Sequence, residues 1–100
     1  MATLYISEHA SIMKDGGNVQ IIAEPPTAEQ TVSIGGTSTQ SSAFGTATRV
    51  VRLHTDAICS VLFGTNPTAT AAKKRMAANQ TEYFSIPPGQ SYKVAVITNT

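Results

Sequence analysis

Short runs of alternating or β-branched apolar residues recur along this chain, with turn residues between them. Residues 4–7, 19–23 and 30–34 each read as a strand. A strong turn signal at residues 15–18 precedes the second run, and Pro25-Pro26 stops it. A period of two that is interrupted at short intervals by turn chemistry is typical of an all-β fold.

The middle of the chain predicts two further strands, residues 49–55 and 57–63, that pair through a tight turn at Asp56. The second strand is apolar on both faces, because Ile58 and Leu62 lie on the face opposite its other apolar residues. We therefore expect it to be central in its sheet, or covered on the second face by a partner.

Two strands are also predicted near the end of the sequence, over residues 81–86 and 92–97. Both are rich in aromatic and β-branched residues, which suit a half-buried pleated surface. Pro87-Pro88-Gly89 lies between them and forbids a helix there. This pattern predicts a β-hairpin.

Two long segments separate these strands. Residues 35–48 are rich in small polar residues and read as a loop around the isolated Phe44. Residues 64–79 have some helix propensity, but the run is too short for a helix that lacks packing, so we expect a projecting loop with about one helical turn. We expect residues 1–6 and 35–48 to become ordered against a neighbouring protein.

The sequence thus predicts a single domain over residues 1–100. Its fold class is all-β, an antiparallel β-sandwich of jelly-roll-like or immunoglobulin-like form with long loops. Alternation assigns these residues to a core shared by two sheets: Val51, Leu53, Cys59, Val61, Phe63, Phe84, Val94 and Val96.

Charge is scarce, at 13% of the 100 residues, with a net charge of +1. A surface made of hydroxyls and amides loses less solvation free energy than a charged one when another protein covers it. The small net charge argues against a nucleic-acid partner, since phosphate recognition needs a concentrated basic surface. No run of apolar residues is long enough for a membrane span, and the first residues lack the pattern of a secretory signal.

No combination of residues predicts catalysis, a cofactor or a metal, and we expect a protein that is not an enzyme. His54, Asp56 and Cys59 lie close in sequence, but a structural zinc site takes four ligands and a thiol nucleophile needs an oriented base. Cys59 cannot form an internal disulfide because it is the sole cysteine, and we interpret it as a buried apolar residue beside a surface histidine.

The candidate functional residues are therefore those expected to contact another protein. They are isolated apolar side chains near the start of the chain and in the first long loop, and the only basic cluster. They are Leu4, Tyr5, Ile6, Phe44, Lys73, Lys74 and Arg75.

The C-terminal half combines several structural motifs. Over residues 50–70 a strand ending in Phe63-Gly64 leads into a loop rich in Thr and Ala. Residues 75–90 then carry Tyr83-Phe84 and the Pro-Gly turn. In these motifs the C-terminal half resembles small virion proteins of tailed bacteriophages and prophages. Because the shared motifs are structural, the resemblance transfers no functional residues.

The resemblance implies a bacteriophage structural protein that is located in the virion and assembled in the bacterial host cytoplasm. The expected role is a capsid decoration, or cement, protein that binds and stabilises the assembled head. Its partners would be the major capsid protein or other virion proteins, with self-association and without specific nucleic-acid or membrane binding. A neck, tail or fibre-associated module is the alternative within the virion.

An alternative from another class is a small carbohydrate- or oligonucleotide-binding β-domain. For a carbohydrate, Tyr83 or Tyr92 would supply an aromatic platform with Gln80 or Gln90 beside it. For a single-stranded oligonucleotide, bases would stack on Tyr83, Phe84 and Tyr92.

Overall fold

A computed structural model describes residues 2–14 and 20–99, which contain ten strands. In chain order they are β1 Thr3–His9, β2 Ile12–Lys14, β3 Gln20–Ile22, β4 Ala28–Ser33, β5 Thr39–Gln40, β6 Val50–Thr55, β7 Cys59–Gly64, β8 Lys74–Met76, β9 Thr81–Ser85 and β10 Lys93–Thr98. Within these ranges there is no helix, and so none long and apolar enough to cross a membrane. The turn predicted at residues 15–18 lies outside the described residues.

Two four-stranded antiparallel sheets form the sandwich. The first sheet has the order β4-β1-β6-β9 and the second has the order β5-β10-β7-β8, while β2 and β3 form a separate two-stranded pair. In the first sheet Tyr5 of β1 lies opposite Thr31 of β4 and opposite His54 of β6. This register determines which side chains share the outer surface of that sheet.

The strand order is that of a jelly roll, the first of the two predicted sandwich types. From β4 to β10 the chain passes between the sheets as in an eight-stranded jelly roll, in which the last strand lies between the first and the third. Here β1 occupies that last position, between β4 and β6. The fold is therefore a jelly roll in which β1 takes the place of the eighth strand, although it precedes the other seven in the chain.

The core lies between the two sheets, and every residue assigned to it from the sequence belongs to it. Six of the eight are buried, while Phe63 and Phe84 are half-buried and pack against the others. The core also holds apolar side chains that were not assigned to it from the sequence, namely Leu4, Ile6, Val32, Ile34, Phe44, Met76 and Ile86.

Neither predicted hairpin exists, although the predicted strands do. β6 belongs to the first sheet and β7 to the second, and likewise β9 pairs with β6 while β10 pairs with β5 and β7. At the first crossing, the Thr55 hydroxyl accepts a hydrogen bond from the Ala57 N–H at 3.2 Å, and the Asp56 carboxylate accepts one from the Thr3 N–H at 2.7 Å. These side-chain bonds turn the chain toward the other sheet rather than back along its own.

The three segments predicted to be loops, or to become ordered only against a neighbouring protein, also differ from the prediction. Residues 3–6 lie in β1, a central strand, and the first long loop contains β5. Residues 64–79 contain no helical turn and do not project. Residues 65–72 lie over the outer face of the second sheet, and β8 then forms the edge of that sheet.

Hydrogen bonds hold the covering segment, residues 65–72, in place. Gln40 donates to the Asn66 side chain at 2.9 Å and to the Pro67 carbonyl at 2.8 Å, and the Ala69 N–H donates to the Ser38 hydroxyl at 2.8 Å. Ala95 of β10, which points outward beneath the segment, has no exposed area. The covering segment thus shields part of the second face of β7, where Ser60 has no exposed area and Leu62 is half-buried.

Candidate functional site

Three of the candidate contact residues lie in the core, where no partner can reach their side chains. Leu4 and Ile6 are 0% and 1% exposed, because alternation along β1 turns them toward the second sheet. Phe44 is 5% exposed, so the expectation of an exposed anchoring ring is wrong. Its N–H donates to the Tyr92 carbonyl at 2.8 Å, which holds the loop against the sandwich.

The Phe44 ring completes a short row of aromatic side chains inside one side of the sandwich. It lies 6.2 Å from the Phe63 ring, which in turn lies 5.1 Å from the Phe84 ring, both in tilted arrangements. Tilted contacts at these distances are favourable for aromatic pairs. The small polar residues around Phe44 suggested an exposed loop. Such a composition does not reveal whether the loop packs against the core.

The basic cluster is exposed, as expected of contact residues. Lys73 precedes β8, whereas Lys74 and Arg75 belong to it. The Lys74 ammonium lies 5.4 Å from the centre of the Phe84 ring, within the range of a cation–π contact. This contact places a positive charge at the side of the sandwich where β8 and β9 form the edges of the two sheets.

Tyr5 is the remaining candidate, and it lies on the outer face of the first sheet. Cross-strand register arranges that face in two rows, one of Thr31, Tyr5, His54 and Thr81, and one of Glu29, Ser7, Arg52 and Tyr83. We call these eight residues the tyrosine face. Its two tyrosines are 45% and 57% exposed and are the only exposed large hydrophobic side chains within residues 2–11 and 22–99.

Local contacts order the side chains of the tyrosine face. The rings of Tyr5 and His54 are tilted at 49°, with centroids 6.2 Å apart. His54 Nδ1 lies 2.7 Å from the Thr81 hydroxyl, and the Ser7 hydroxyl donates to Glu29 Oε2 at 3.3 Å. A partner would thus meet side chains that already have defined positions, which lowers the entropy cost of binding.

A shallow depression of about 770 Å³ runs along the tyrosine face. It is lined by Tyr5, Ile6, Ser7, Glu29, Gln30, Thr31, Arg52 and His54. The lining carries one carboxylate, one guanidinium and several neutral donors and acceptors. This surface can bind a partner through aromatic contact and paired polar groups, with no excess of either charge.

The tyrosine face differs from the outer face of the second sheet in being uncovered. Residues 65–72 cover the outer face of the second sheet, whereas no described segment lies over the outer face of the first. Of its residues, Tyr5 was predicted from the sequence as a contact residue and Tyr83 as an aromatic platform. For the other residues of the face, the sequence shows that Arg52 and His54 alternate along one strand and so share one side of it. Which residues of the neighbouring strands lie beside them follows from the strand pairing.

Buried polar groups elsewhere serve the fold. Glu8 is 3% exposed, and its Oε1 accepts hydrogen bonds from the Thr48 hydroxyl at 2.7 Å and the Gly45 N–H at 2.9 Å. His9 Nδ1 lies 2.9 Å from the Ala23 carbonyl, while its Nε2 has no hydrogen-bond partner among the described residues and lies 3.8 Å from a Glu24 oxygen. These groups join β1 to the loops at one end of the sandwich.

Cys59 lies in the core, as the sequence predicted. It has no exposed area, and its thiol donates to the Thr55 hydroxyl at 3.6 Å. Burial raises the pKa of this thiol, and the bond to Thr55 opposes that rise in part. The described residues include no group of three or more His, Cys, Asp or Glu that could hold a metal ion.

Comparison of the chain with protein-family models, with curated proteins and with solved structures returns no match.

Proposed function

We propose that this protein is a structural protein of a bacteriophage virion, a capsid decoration protein that binds the assembled head through the tyrosine face. The observation that carries the proposal is the uncovered outer face of the first sheet, with Tyr5 and Tyr83 on either side of β6. Tyrosine and arginine are among the residue types in which the free energy of protein binding is concentrated. Arg52 lies directly beside Tyr83 on this face.

Two further observations support a role in a particle. Many viral capsid domains are jelly rolls, and the fold supports the proposal by this analogy. The same fold also occurs in lectins and cupins. The C-terminal half resembles small phage virion proteins in its sequence motifs. The low proportion of charged residues also suits a surface that another protein buries.

The mechanism would be thermodynamic linkage. A protein that binds the assembled lattice and not the free subunits lowers the free energy of the assembled state by mass action. The packaged DNA pushes outward on the shell, and each bound copy would oppose the separation of the subunits that it contacts. No chemical step is needed for this role.

Binding of the purified protein to particles that lack it tests the proposal. Tyr5→Asp and Tyr83→Asp should each weaken binding by about 2 kcal/mol or more, roughly thirtyfold, because each buries a carboxylate where a ring made contact. Thr68→Asp is the matched control, since Thr68 is exposed in the covering segment of the second sheet. Binding by the double variant that equals wild type would refute the proposed use of the tyrosine face.

The abundance of the protein in purified particles tests its location. A copy number comparable to that of the major capsid protein supports decoration of the head. A copy number that matches a single ring of subunits would instead indicate the neck or tail. Absence of the protein from purified particles would refute the virion proposal altogether.

Carbohydrate binding is the second candidate, and it involves the same face. The Tyr5 and His54 rings border a depression that also presents Glu29, Gln30 and Arg52, which can bond to sugar hydroxyls. Titration of the protein with a panel of bacterial surface oligosaccharides, followed by amide NMR shifts, tests it. Saturable shifts confined to the tyrosine face and abolished by Tyr5→Asp would favour this function over decoration.

A further inference from the structure

The outer edge of β9 offers unpaired backbone groups. The Ile86 N–H donates to the Arg49 carbonyl at 2.7 Å, and the Thr55 N–H donates to the Gln80 carbonyl at 3.1 Å. Because alternate residues of an antiparallel strand bond to opposite sides, Glu82 and Phe84 also bond toward β6. The backbone groups of Thr81, Tyr83 and Ser85 therefore point away from the sheet, where they bond to none of the described residues.

The other three edges of the two four-stranded sheets are less suited to pairing with another strand. β5 is only two residues long. β8 carries Lys74 and Arg75, and basic side chains on an edge strand hinder its pairing with another strand. Beside the β4 edge, the Gln30 side chain bonds to both the N–H and the carbonyl of Ser42 at 2.9 and 3.4 Å, so the loop after β5 lies there. β9 contains no proline and no basic residue.

β9 is also complementary to itself in an antiparallel pair centred on Tyr83. Thr81 of one copy then lies opposite Ser85 of the other, and the outward backbone groups of these residues bond in pairs. Glu82 lies opposite Phe84 of the second copy. Since the Lys74 ammonium lies over that phenylalanine ring, Glu82 of each copy comes beside Lys74 of the other.

We propose that two copies of this chain associate through their β9 edges, about a twofold axis at Tyr83, with reciprocal ion pairs between Glu82 and Lys74. The first sheets of the two copies then form one continuous sheet of eight strands. The two Tyr83 rings lie side by side at its centre, on the outer face, where each covers one edge of the other and leaves the rest of the ring exposed. The pairing is isologous, so it closes at two copies and does not propagate into fibres.

Self-association by this route does not depend on the proposed role in a particle. If that role also holds, the dimer presents two tyrosine faces on one surface and gains affinity through two linked contacts. Such a dimer matches a local twofold axis of a shell. A dimer that fails to bind particles would refute the particle role alone.

Sedimentation velocity of the full chain over a wide concentration range tests the dimer. Glu82→Lys and Lys74→Glu should each raise the dissociation constant of the dimer at least about tenfold, because each places like charges together across the interface. The double variant Glu82→Lys with Lys74→Glu restores opposite charges and should return the constant to within about threefold of wild type. Glu29→Lys, the same charge change on the same sheet near the β4 edge, should leave it unchanged.

Three outcomes would overturn the inference. They are a wild-type chain that stays monomeric at millimolar concentration, a dimer that responds equally to Glu29→Lys and Glu82→Lys, and a double variant that dimerises no better than the single ones. Circular dichroism checks that each variant folds. Should one not fold, amide exchange in wild type decides, since the amides of Thr81, Tyr83 and Ser85 must exchange more slowly at high concentration than at low.

Discussion

At the scale of single residues, Cys59 shows how the core changes a side chain's chemistry. Its thiol lies between the sheets with no exposed area, and burial raises its pKa because the thiolate would be poorly solvated there. The thiolate is the nucleophilic form of cysteine. This residue is therefore held in its unreactive form, in agreement with the sequence interpretation of a buried apolar residue.

Cys59 should make the stability of the protein depend on alkaline pH. The unfolded chain releases the thiol proton at about pH 8.5, whereas the folded chain retains it to a higher pH. The unfolded state then binds fewer protons, so the free energy of unfolding falls as pH rises above about 8.5. Urea denaturation at intervals from about pH 7 to 10 measures this fall, with Cys59→Ala beside wild type.

The alanine variant should be less stable at neutral pH, but its stability should fall less steeply above about pH 8.5. All other ionisable groups are common to both proteins, so the difference between the two curves isolates the thiol. Parallel curves for the two proteins would contradict the expected role of Cys59.

At the scale of elements, alternation located the strands but did not determine their partners. Residues 81–86 and 92–97 have the composition of a hairpin, yet β9 and β10 belong to different sheets. Strand propensity is a property of one segment, whereas pairing depends on contacts with segments distant in sequence. Seven residues lie between β9 and β10, which is more than a hairpin loop usually contains. This length argues against a hairpin.

The same distinction explains the candidate site. Tyr5 was named from the sequence together with its neighbours Leu4 and Ile6, as apolar side chains near the start of the chain, but Leu4 and Ile6 are buried. Their burial depends on β1 being central in its sheet, which no local pattern shows. Likewise, Arg52 joins Tyr83 only through the pairing of β6 with β9.

The crossing from β9 to β10 depends on Gly89, whose φ of +78° is in the left-handed region. A side chain costs about 1 kcal/mol or more in that conformation, so Gly89→Ala should lower the free energy of unfolding by about that amount. Gly36→Ala is the matched control, since an added Cβ meets nothing within 4 Å at either position and only Gly89 has a positive φ. Urea denaturation that shows equal effects of the two substitutions would contradict this explanation.

At the scale of the whole molecule, the two outer faces differ. The second sheet is covered by residues 65–72, while the first presents the tyrosine face to solvent. If the protein binds its partner through the tyrosine face, all copies bind in the same orientation. On a shell, every copy would then place the second sheet outward.

If this protein decorates the head as proposed, particles made without it should assemble but lose their DNA at a lower temperature than complete particles. The reason is that the bridging contacts, which lower the free energy of the intact shell, are absent. Fluorescence of a DNA-binding dye during heating measures the release. Adding purified wild-type protein should restore the temperature, whereas the Tyr5→Asp, Tyr83→Asp double variant should not. Equal release temperatures for depleted and complete particles would contradict a stabilising role on the head.

The position of β1 in the jelly roll has a consequence for biosynthesis. The ribosome makes this strand before the other nine, yet its neighbour β6 must emerge before Leu4 can lie opposite Thr55. β10, the central strand of the second sheet, is made after all the other strands. Neither sheet can close until its distant strands have been made, and contacts between segments so distant in sequence form slowly. The apolar side of β1 therefore stays uncovered until the strands of the second sheet have been made, and an uncovered apolar strand favours aggregation during that time.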